Sequence, residues 1–581
     1  MAVRRGVWIV LVLIIAAVAI SAMGLVAMAL VVGRAPQVAG NSTLVLKIGG
    51  DLQEIEPAGV IGQFFEAPPT VRGIVDSLRK AKVDRRVSSV IIRPTSAAAL
   101  WGKVQEVRDA ITDFRRSGKP IIGYLEYGGE QEFYLASACD KVFLMPTASL
   151  DLTGVASYEL FLRGTLDKMG AYPDTLHIGE YKTASNTFTE HTYTPAHREM
   201  AESLNQDMYN QLIRGLANGR HKSEADMRAL VDHGPFLPED AVRAGLVDDV
   251  AYEDELDDKV KLAQGRVNYL DERDYRRVTP ASLGLNRGPR IAVIYATGVI
   301  ASGESNYDSP SGQVLGADTM VEYLRKARAD NSIKAIVLRV DSPGGSAIAS
   351  DVIWREVSLT RNTKPVIASM SDVAASGGYY IAMPAHAIVA EPATLTGSIG
   401  VVMLKFVIDG TLKKIGINME GVTNGRYADL YSPVRAFSPD ERARVQEQMQ
   451  ATYDTFVEKA AAGRNTTPER IDAVAQGRVW TGAQAKQIGL VDELGGLERA
   501  LALAKQRARL APDSEVELVI YPGPKSIYDL VRNPFGASDQ ANAFGVLLGI
   551  RDPRPLQSLT APLRVFRRGE PLAIMPNVFI R

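Results

Sequence analysis

The sequence is poor in the residues that form covalent cross-links and metal clusters. Its 581 residues include one cysteine, Cys139, and only six histidines. A single cysteine excludes an intrachain disulfide and a cysteine-based metal cluster. Neither an HExxH nor a CxxC pattern occurs, so a zinc hydrolase has little support. The composition therefore gives no support for a metal cofactor.

A strong excess of charge of either sign is also absent. The formal net charge is −1, which provides no general attraction to nucleic acid or to anionic lipid. Apolar residues make up 46% and charged residues 23%, as is normal for a globular protein with sizeable cores. The length allows about two to four ordinary domains. We expect no nucleic-acid partner.

Long hydrophobic runs are absent except at the N-terminus. Residues 7–33 form an uncharged run of 27 residues, longer than the roughly 20 that cross a bilayer. A signal-peptide core usually has about 7–15 apolar residues, so an uncleaved single-pass anchor fits better. Arg4 and Arg5 favour a cytoplasmic position for residues 1–6 by the positive-inside rule. The remainder of the chain is predicted to lie outside the cytoplasm.

The body of the chain contains an internal repeat. Similar segments recur at an offset of 244 to 246 residues; they include 90–93 with 336–339, 134–136 with 380–382, and 245–248 with 489–492. Chance would not hold the offset within two residues over so long a span. We therefore predict two copies of one unit, at 40–285 and 286–510, followed by a C-terminal tail at 511–581.

Each unit has the pattern of an α/β domain. Short β-branched runs predict buried strands of a largely parallel sheet at 290–295, 335–340 and 365–369. Helical patterns alternate with these strands at 316–328 and 348–359, as right-handed crossover units require. A longer helix is predicted over 439–463, with Ser438 as its N-cap and Pro439 at its first position.

Glycine-rich patterns in the second unit indicate a site. Gly344 and Gly345 follow a predicted strand within DSPGGS, and adjacent glycines let backbone amides point into a cleft, as an oxyanion hole needs. Ser376 lies between small residues in AASGGYY, at the start of a predicted helix. A third pattern, TGSIGV at 396–401, could form a wall of the pocket. Taken singly, the Pro-Gly-Gly pattern is more often a turn and the serine more often a helix cap.

The repeat strengthens these patterns because each unit lacks what the other keeps. The first unit has Glu130 where the second has Ser376, and Ala98 and Ala99 where the second has Gly344 and Gly345. Conversely, GEYK at 179–182 corresponds to GRYA at 425–428, so Lys182 corresponds to Ala428. Complementary loss predicts one composite site with a part from each unit. The alternative is that Lys182 is a solvated surface lysine and that the differences between the two units arose by sequence drift without functional meaning.

The combination of SPGG, ASGGYY, TGSIGV and GxYK resembles the signal peptide peptidase A family in its long, two-repeat, membrane-anchored form. The resemblance covers nearly all of the chain after the anchor, and it is weakest in the tail after about residue 515. It implies tandem Clp/crotonase-type domains, each a spiral of ββα units in an α/β fold. It also implies a serine–lysine endopeptidase that degrades hydrophobic peptides such as cleaved signal peptides and needs no metal or organic cofactor.

The resemblance assigns roles to individual residues. It implies that Ser376 is the nucleophile and Lys182 the general base, and the backbone amides of Gly344 or Gly345 and of Gly377 are the expected oxyanion donors. To act as a base, Lys182 must be desolvated so that its pKa falls from about 10.4. The resemblance further implies a homotetramer at the bacterial inner membrane, with the catalytic body on the periplasmic side.

Three other functions are open at this stage. A Ser-His-Asp hydrolase could use His386, which lies ten residues after Ser376. A crotonase-type acyl-CoA enzyme shares the expected fold, although the anchor and Ser376 argue against it. A non-catalytic, membrane-anchored peptide-binding module or scaffold would also tolerate the replacements seen at Glu130 and Ala428.

Overall fold

The computed structural model describes residues 16, 23, 38–55, 70–97, 99–261, 268–308, 312–523, 569–576 and 579–580. The predicted anchor at 7–33 lies outside the described residues, apart from Ala16 and Met23. Within the described ranges, no helix is long and apolar enough to cross a membrane.

The first unit is built on a six-stranded parallel sheet. Its strands lie in the spatial order Asp249–Val250, Lys141–Leu144, Ile121–Leu125, Val87–Ala97, Ser42–Gly50 and Asn268–Asp271. Parallel neighbours need crossover connections, and helices Val71–Val83, Trp101–Arg115 and Glu130–Ala136 provide them. Residues such as Leu44, Ile92 and Leu125 are fully buried beneath these helices.

The second unit repeats this arrangement. Its sheet contains, in spatial order, Glu493–Leu494, Ala387–Ala390, Val366–Ala375, Ile333–Ser342, Arg290–Thr297 and Glu517–Tyr521. Leu395–Gly397 also pairs with Val366–Ala375, and Val479–Thr481 pairs with Leu395–Gly397. The sheets of the two units share one strand order. The predicted mixed α/β fold is confirmed, and the edge strand Glu517–Tyr521 comes from the segment predicted as tail.

The observed helices agree closely with the predicted ones in the second unit. Helices Ala317–Ala329 and Ala347–Arg361 correspond to the predicted 316–328 and 348–359, with bounds that differ by one or two residues. Helix Pro439–Gly463 begins with a capping box, in which the Glu441 amide donates to Ser438 Oγ at 3.2 Å. The remaining helices of this unit are Gly377–Ala382, Asp409–Lys414, Pro468–Asp472, Gly482–Gln487 and Leu497–Arg507.

The first unit has further helices outside its sheet connections. They are Arg163–Met169, Asn186–Thr189, Pro195–Gly219, Glu224–Val231, Pro238–Arg243, Glu253–Lys261 and Glu272–Arg276, with 3-10 helices at Thr183–Ser185 and Pro280–Leu283. The long helix Pro195–Gly219 corresponds to Pro439–Gly463 and, like it, has proline at its first position.

A third sheet joins the two units. Its seven strands lie in the order Asn306–Asp308, Gly312–Gly316, Val299–Ala301, Gly344–Ser346, Leu572–Ile574, Val401–Met403 and Leu176–Ile178. Leu176–Ile178 comes from the first unit, and Leu572–Ile574 comes from the C-terminal tail. Two small ladders add to this contact: Phe406–Val407 pairs with Tyr172–Pro173, and Phe579–Ile580 pairs with Ser157–Tyr158.

A buried arginine joins the units through ionic hydrogen bonds. Arg339 in the second unit is 1% exposed and donates to Glu54 at 2.8 and 2.9 Å and to Glu106 at 2.5 Å, both in the first unit. Burial alone would raise the pKa of Glu54, but Arg339 outweighs it and lowers that pKa to about 2. Arg339 and Glu54 are therefore both charged at neutral pH, and each of the two charges compensates the other in the buried interface.

A second ionic contact lies beside the first. Helix Trp101–Arg115 has no N-cap side chain of its own, and Asp372 of the second unit accepts from the amides of Leu100 at 3.0 Å and Lys103 at 2.7 Å. The Lys103 ammonium lies 2.7 Å from Asp341. A carboxylate from one unit thus satisfies the free amides at a helix N-terminus of the other.

We predict that Arg339→Met lowers the free energy of unfolding by about 3–5 kcal/mol, because it removes the cation that is hydrogen-bonded to the buried Glu54 and Glu106. The matched control is Arg93→Met at the equivalent position of the first unit, where the arginine pairs with the more exposed Glu126 and Glu253. That change should cost no more than about 1 kcal/mol. Urea denaturation of both variants measures the difference, and equal losses would contradict a dominant role for the buried pair.

Candidate active site

Ser376 lies at the junction between strand Val366–Ala375 and helix Gly377–Ala382. Its backbone has φ 56° and ψ −113°, a conformation that is strained for a residue with a side chain. The Ser376 amide donates to the Gly397 carbonyl at 2.8 Å, which holds the turn. Its side chain makes no helix-capping hydrogen bond. Ser376 therefore occupies the N-cap position, as the alternative interpretation expected, but its hydroxyl does not cap the helix and is free for another role.

Lys182 reaches Ser376 from the other unit. Its Nζ lies 2.8 Å from Ser376 Oγ, 2.8 Å from the Ser398 carbonyl oxygen and 3.0 Å from Ser398 Oγ. The two predicted catalytic residues therefore meet within a single chain. Three oxygen atoms around one amine also fix the direction in which the lysine side chain points.

The backbone beside Lys182 packs tightly against the second unit. The Tyr181 amide donates to the Gln476 carbonyl at 2.8 Å. Gly477 has φ +79°, and a methyl group on it would lie 2.5 Å from the Cα of Lys182. A residue larger than glycine at 477 would push the lysine away from Ser376, so this position helps to set the distance between the two residues.

Burial controls the charge of the lysine. Lys182, Ser376 and Ser398 are all 0% exposed. Desolvation by burial lowers the pKa of Lys182 well below its usual value. The neutral amine, which has a free lone pair, is thereby favoured over the ammonium. The alternative interpretation of Lys182 as a solvated surface residue is wrong.

The three predicted glycines lie next to Ser376. A methyl group on Gly344 would lie 2.6 Å from the Gly377 amide nitrogen. The Gly344 amide donates to Ser342 Oγ at 3.1 Å and is therefore occupied. The Gly377 amide nitrogen, which directly follows Ser376 and lies beside Gly344, is well placed to donate to a developing oxyanion.

Sequence reasoning missed the role of Ser398. The pattern at 396–401 predicted a pocket wall, whereas Ser398 contacts Lys182 through both its carbonyl and its hydroxyl. Ser398 has φ +50°, which turns both groups toward the lysine. The available signal was a serine directly after Gly397 and two residues before Gly400, because glycines on either side make an unusual backbone turn easier to form.

His386 is hydrogen-bonded to the backbone of Val366 and not to Ser376. Its Nδ1 accepts from the Val366 amide at 3.1 Å, and its own amide donates to the Val366 carbonyl at 2.8 Å. In the part of the chain that the structure describes, no histidine is hydrogen-bonded to Ser376. Across the same residues, no group of three or more His, Cys, Asp or Glu side chains could hold a metal ion.

Comparison with known proteins indicates the class of protein to which this chain belongs. The model of peptidase family S49 matches two segments, residues 113–266 and 358–511, one in each unit. The chain is 38% identical to the chloroplastic serine protease SPPA of Arabidopsis thaliana, over 82% of this chain and 71% of the relative. It is 34% identical to Protease 4 of Salmonella typhi, over 81% of this chain and 76% of the relative. Protease 4 of Haemophilus influenzae is also 34% identical, over 70% and 68% of the two chains.

A strained serine beside a buried amine, together with these relatives, defines a serine peptidase. The chain belongs to peptidase family S49. The resemblance to signal peptide peptidase A drawn from the sequence motifs is confirmed, and so is the duplication of the unit.

We predict that Gly344→Ala lowers the free energy of unfolding by about 2–4 kcal/mol and reduces kcat about 10²- to 10³-fold. The new methyl group would lie 2.0 Å from the Ala573 carbonyl oxygen and would displace backbone beside Ser376. Gly303→Ala is the matched control, because Gly303 also has a positive φ, +89°, but faces open space. It should cost only about 1 kcal/mol and leave kcat unchanged. Equal effects on kcat would contradict a role for Gly344 in the site.

Proposed function

We propose that the protein is a membrane-anchored serine endopeptidase in which Ser376 is the nucleophile and Lys182 is the general base. The observation that carries the proposal is the 2.8 Å separation of Lys182 Nζ and Ser376 Oγ inside a fully buried site. A base must lie within hydrogen-bond reach of the proton that it removes, and its pKa must lie near the working pH. The lowered pKa of Lys182 supports the second requirement.

Acylation begins with proton transfer between the two side chains. The neutral Lys182 amine takes the Ser376 hydroxyl proton while Oγ attacks the carbonyl carbon of the peptide bond. The bonds from Lys182 Nζ to the two oxygens of Ser398 stabilise the ammonium that forms. Lys182 then returns the proton to the leaving amine, which departs as the first product.

The oxyanion of the tetrahedral intermediate requires backbone donors. The amides of Gly345 and Gly377 supply them, and Gly344 allows the substrate carbonyl to approach because it has no side chain. Deacylation repeats these steps with water in place of Ser376 Oγ. Lys182 takes a proton from the water, and Ser376 regains its own proton when the acyl bond breaks. No metal or organic cofactor enters either half-reaction.

The substrates of this proposal are extended hydrophobic peptides, such as the remnants of cleaved signal peptides. The uncharged run at 7–33 would hold the catalytic body at a bacterial inner membrane, on the periplasmic side, where such remnants arise. A homotetramer that encloses the sites would admit unfolded peptides and exclude folded proteins. The membrane position and the assembly come from the family resemblance and the sequence.

We predict that Ser376→Ala and Lys182→Ala each reduce kcat/KM for a fluorogenic apolar peptide by at least about 10³-fold, because the two residues act as one unit. The double variant should be no worse than either single one. His386→Ala is the control, and it should retain activity. Activity that survives Lys182→Ala would contradict the dyad. A folded wild type that cleaves no apolar peptide would favour the peptide-binding scaffold instead.

We predict that kcat/KM rises with pH as Lys182 loses its proton and then reaches a plateau. Burial lowers the pKa of Lys182, so the midpoint of the rise should lie well below the ordinary lysine value of about 10.4. The measurement is kcat/KM over the range from about pH 5 to 10, which reports the free enzyme. A midpoint near the ordinary value would mean that the working lysine is solvated.

A further inference from the structure

The bridging segment, residues 476–478 of the second unit, lies between the segment that carries Lys182 and the turn that carries Ser398. On the lysine side, the Gln476 carbonyl accepts from the Tyr181 amide at 2.8 Å, directly beside the lysine. The backbone of the bridging segment is therefore in contact with the backbone of the proposed base. Any shift of the bridging segment would be passed on to the lysine.

The bridging segment also holds the turn at Ser398. The Gly477 amide donates to the Ile399 carbonyl at 2.8 Å, and the Arg478 carbonyl accepts from the Ser398 amide at 2.7 Å. Ser398 supplies two of the three oxygens around Lys182 Nζ, at 2.8 and 3.0 Å. The position of the amine and the positions of two of its partners thus depend on one short piece of backbone.

Three side chains of the second unit, the trio Tyr453, Asp472 and Gln476, fix the bridging segment. Gln476 has φ 51°, a left-handed conformation that is unfavourable for a residue other than glycine. Its Nε2 donates to Asp472 Oδ1 at 2.6 Å and to the Tyr453 hydroxyl at 3.0 Å. The Tyr453 hydroxyl donates to the same Asp472 oxygen at 2.5 Å. Each member of the trio is therefore hydrogen-bonded to the other two, which compensates for the strained backbone of Gln476.

The trio is anchored on two helices. Tyr453 lies in the long helix Pro439–Gly463, and Asp472 is the last residue of helix Pro468–Asp472. Tyr453 is buried, and burial together with the hydrogen bond to Asp472 raises the pKa of its hydroxyl. The hydroxyl therefore keeps its proton and remains a donor. Hydrogen bonds in such a buried network are stronger than exposed ones, so the trio can hold a strained residue.

The first unit has a different set of residues at these positions. Tyr209 corresponds to Tyr453, but Arg228 replaces the aspartate and Asp232 replaces the glutamine. The Arg228 guanidinium lies over the Tyr209 ring, 5.2 Å from its centroid. The trio thus occurs in the unit that receives Lys182, and the tyrosine of the other unit provides a matched control.

We propose that the trio positions the general base, because it holds the bridging segment in the conformation that keeps Lys182 beside Ser376. The inference rests on the proposed function, since it takes Lys182 as the base. A small displacement of a catalytic group lowers the rate of the chemical step strongly. Loss of the trio should therefore lower kcat and leave KM nearly unchanged, because the peptide is bound by other parts of the site.

The pH profile provides a readout that a purely structural role would not change. Displacement lets water reach the Lys182 amine, so the midpoint of kcat/KM should move up toward the ordinary lysine value. Loss of the Asp472 carboxylate would by itself disfavour the lysine ammonium and move the midpoint down. Two further charged side chains at the bridging segment, Arg478 and Glu199, pair with each other at 2.7 Å and are unaltered in the variants. An upward shift therefore identifies hydration of the displaced lysine.

Kinetics of the full-length protein with a fluorogenic apolar peptide test the proposal. Asp472→Ala and Gln476→Ala should each lower kcat about 10- to 100-fold, change KM less than about threefold, and raise the midpoint by about one pH unit or more. Asp472→Asn keeps an acceptor oxygen and should retain at least about a third of kcat. Tyr453→Phe should lower kcat about 3- to 10-fold, whereas the control Tyr209→Phe should leave kcat, KM and the midpoint unchanged. Folded Gln476→Ala and Tyr453→Phe proteins with wild-type kcat and midpoint would overturn the proposal.

Hydrogen exchange tests the same point without turnover. The Tyr181 and Gly477 amides are the donors that join the bridging segment to its two neighbours. In full-length Ser376→Ala protein, these amides should exchange at least about tenfold faster once Gln476→Ala is added. Addition of Tyr209→Phe should leave both rates unchanged. Exchange that is as slow with Gln476→Ala as without it would overturn the proposal.

The two measurements separate this inference from the proposed catalytic function. Activity that survives Lys182→Ala would refute the dyad, and the exchange rates would then decide alone whether the trio holds the bridging segment. Cleavage that depends on Lys182 and Ser376, together with unchanged exchange and unchanged kcat in the trio variants, would sustain the dyad and refute the inference.

Discussion

The docking of the two units is the constraint on which the site depends, because Lys182 and Ser376 belong to different units. The buried contacts that hold this docking lie on the same strands as the site. Arg339 lies on the strand that leads to Gly344, and Asp372 lies on the strand that ends beside Ser376. Each buried charge therefore lies on a strand that leads into the candidate site. A change in the docking of the two units would shift these strands and, with them, the residues of the site.

Two residues of the candidate site reduce the stability of the folded protein. Ser376 has a strained backbone, and Lys182 has lost the hydration of its amine. A lysine whose pKa is lower in the folded state binds fewer protons there than in the unfolded chain. Its contribution to stability therefore rises with pH through the interval between the two pKa values and decreases as pH falls. The buried contacts around Arg339 and Asp372 must hold the units together against this tendency.

The sequence was sufficient to predict the duplicated α/β fold and the pairing of Lys182 with Ser376. The repeat makes equivalent residues occupy equivalent places, so complementary losses at Glu130 and Ala428 pointed to one shared site. The contact of Ser398 with Lys182 could not be predicted, because it depends on one left-handed residue whose side chain and carbonyl turn the same way. The C-terminal strand was also missed. Its pairing joins residues more than 200 positions apart and leaves no local periodicity.

The packing of the units also explains why the proposed base, Lys182, has no counterpart in the second unit and the proposed nucleophile, Ser376, has none in the first. The segment Gly179–Lys182 lies against the second unit, whereas its counterpart at 425–428 is largely exposed. An amine at Ala428 would therefore be hydrated and would stay protonated at neutral pH, which makes it useless as a base. At the position that corresponds to Ser376, the Glu130 carboxylate accepts from the Thr153 amide and hydroxyl at 2.9 and 3.1 Å. The two tandem units of one chain bury one lysine beside one serine. A serine at position 130 and a lysine at position 428 would not form a second buried pair of this kind.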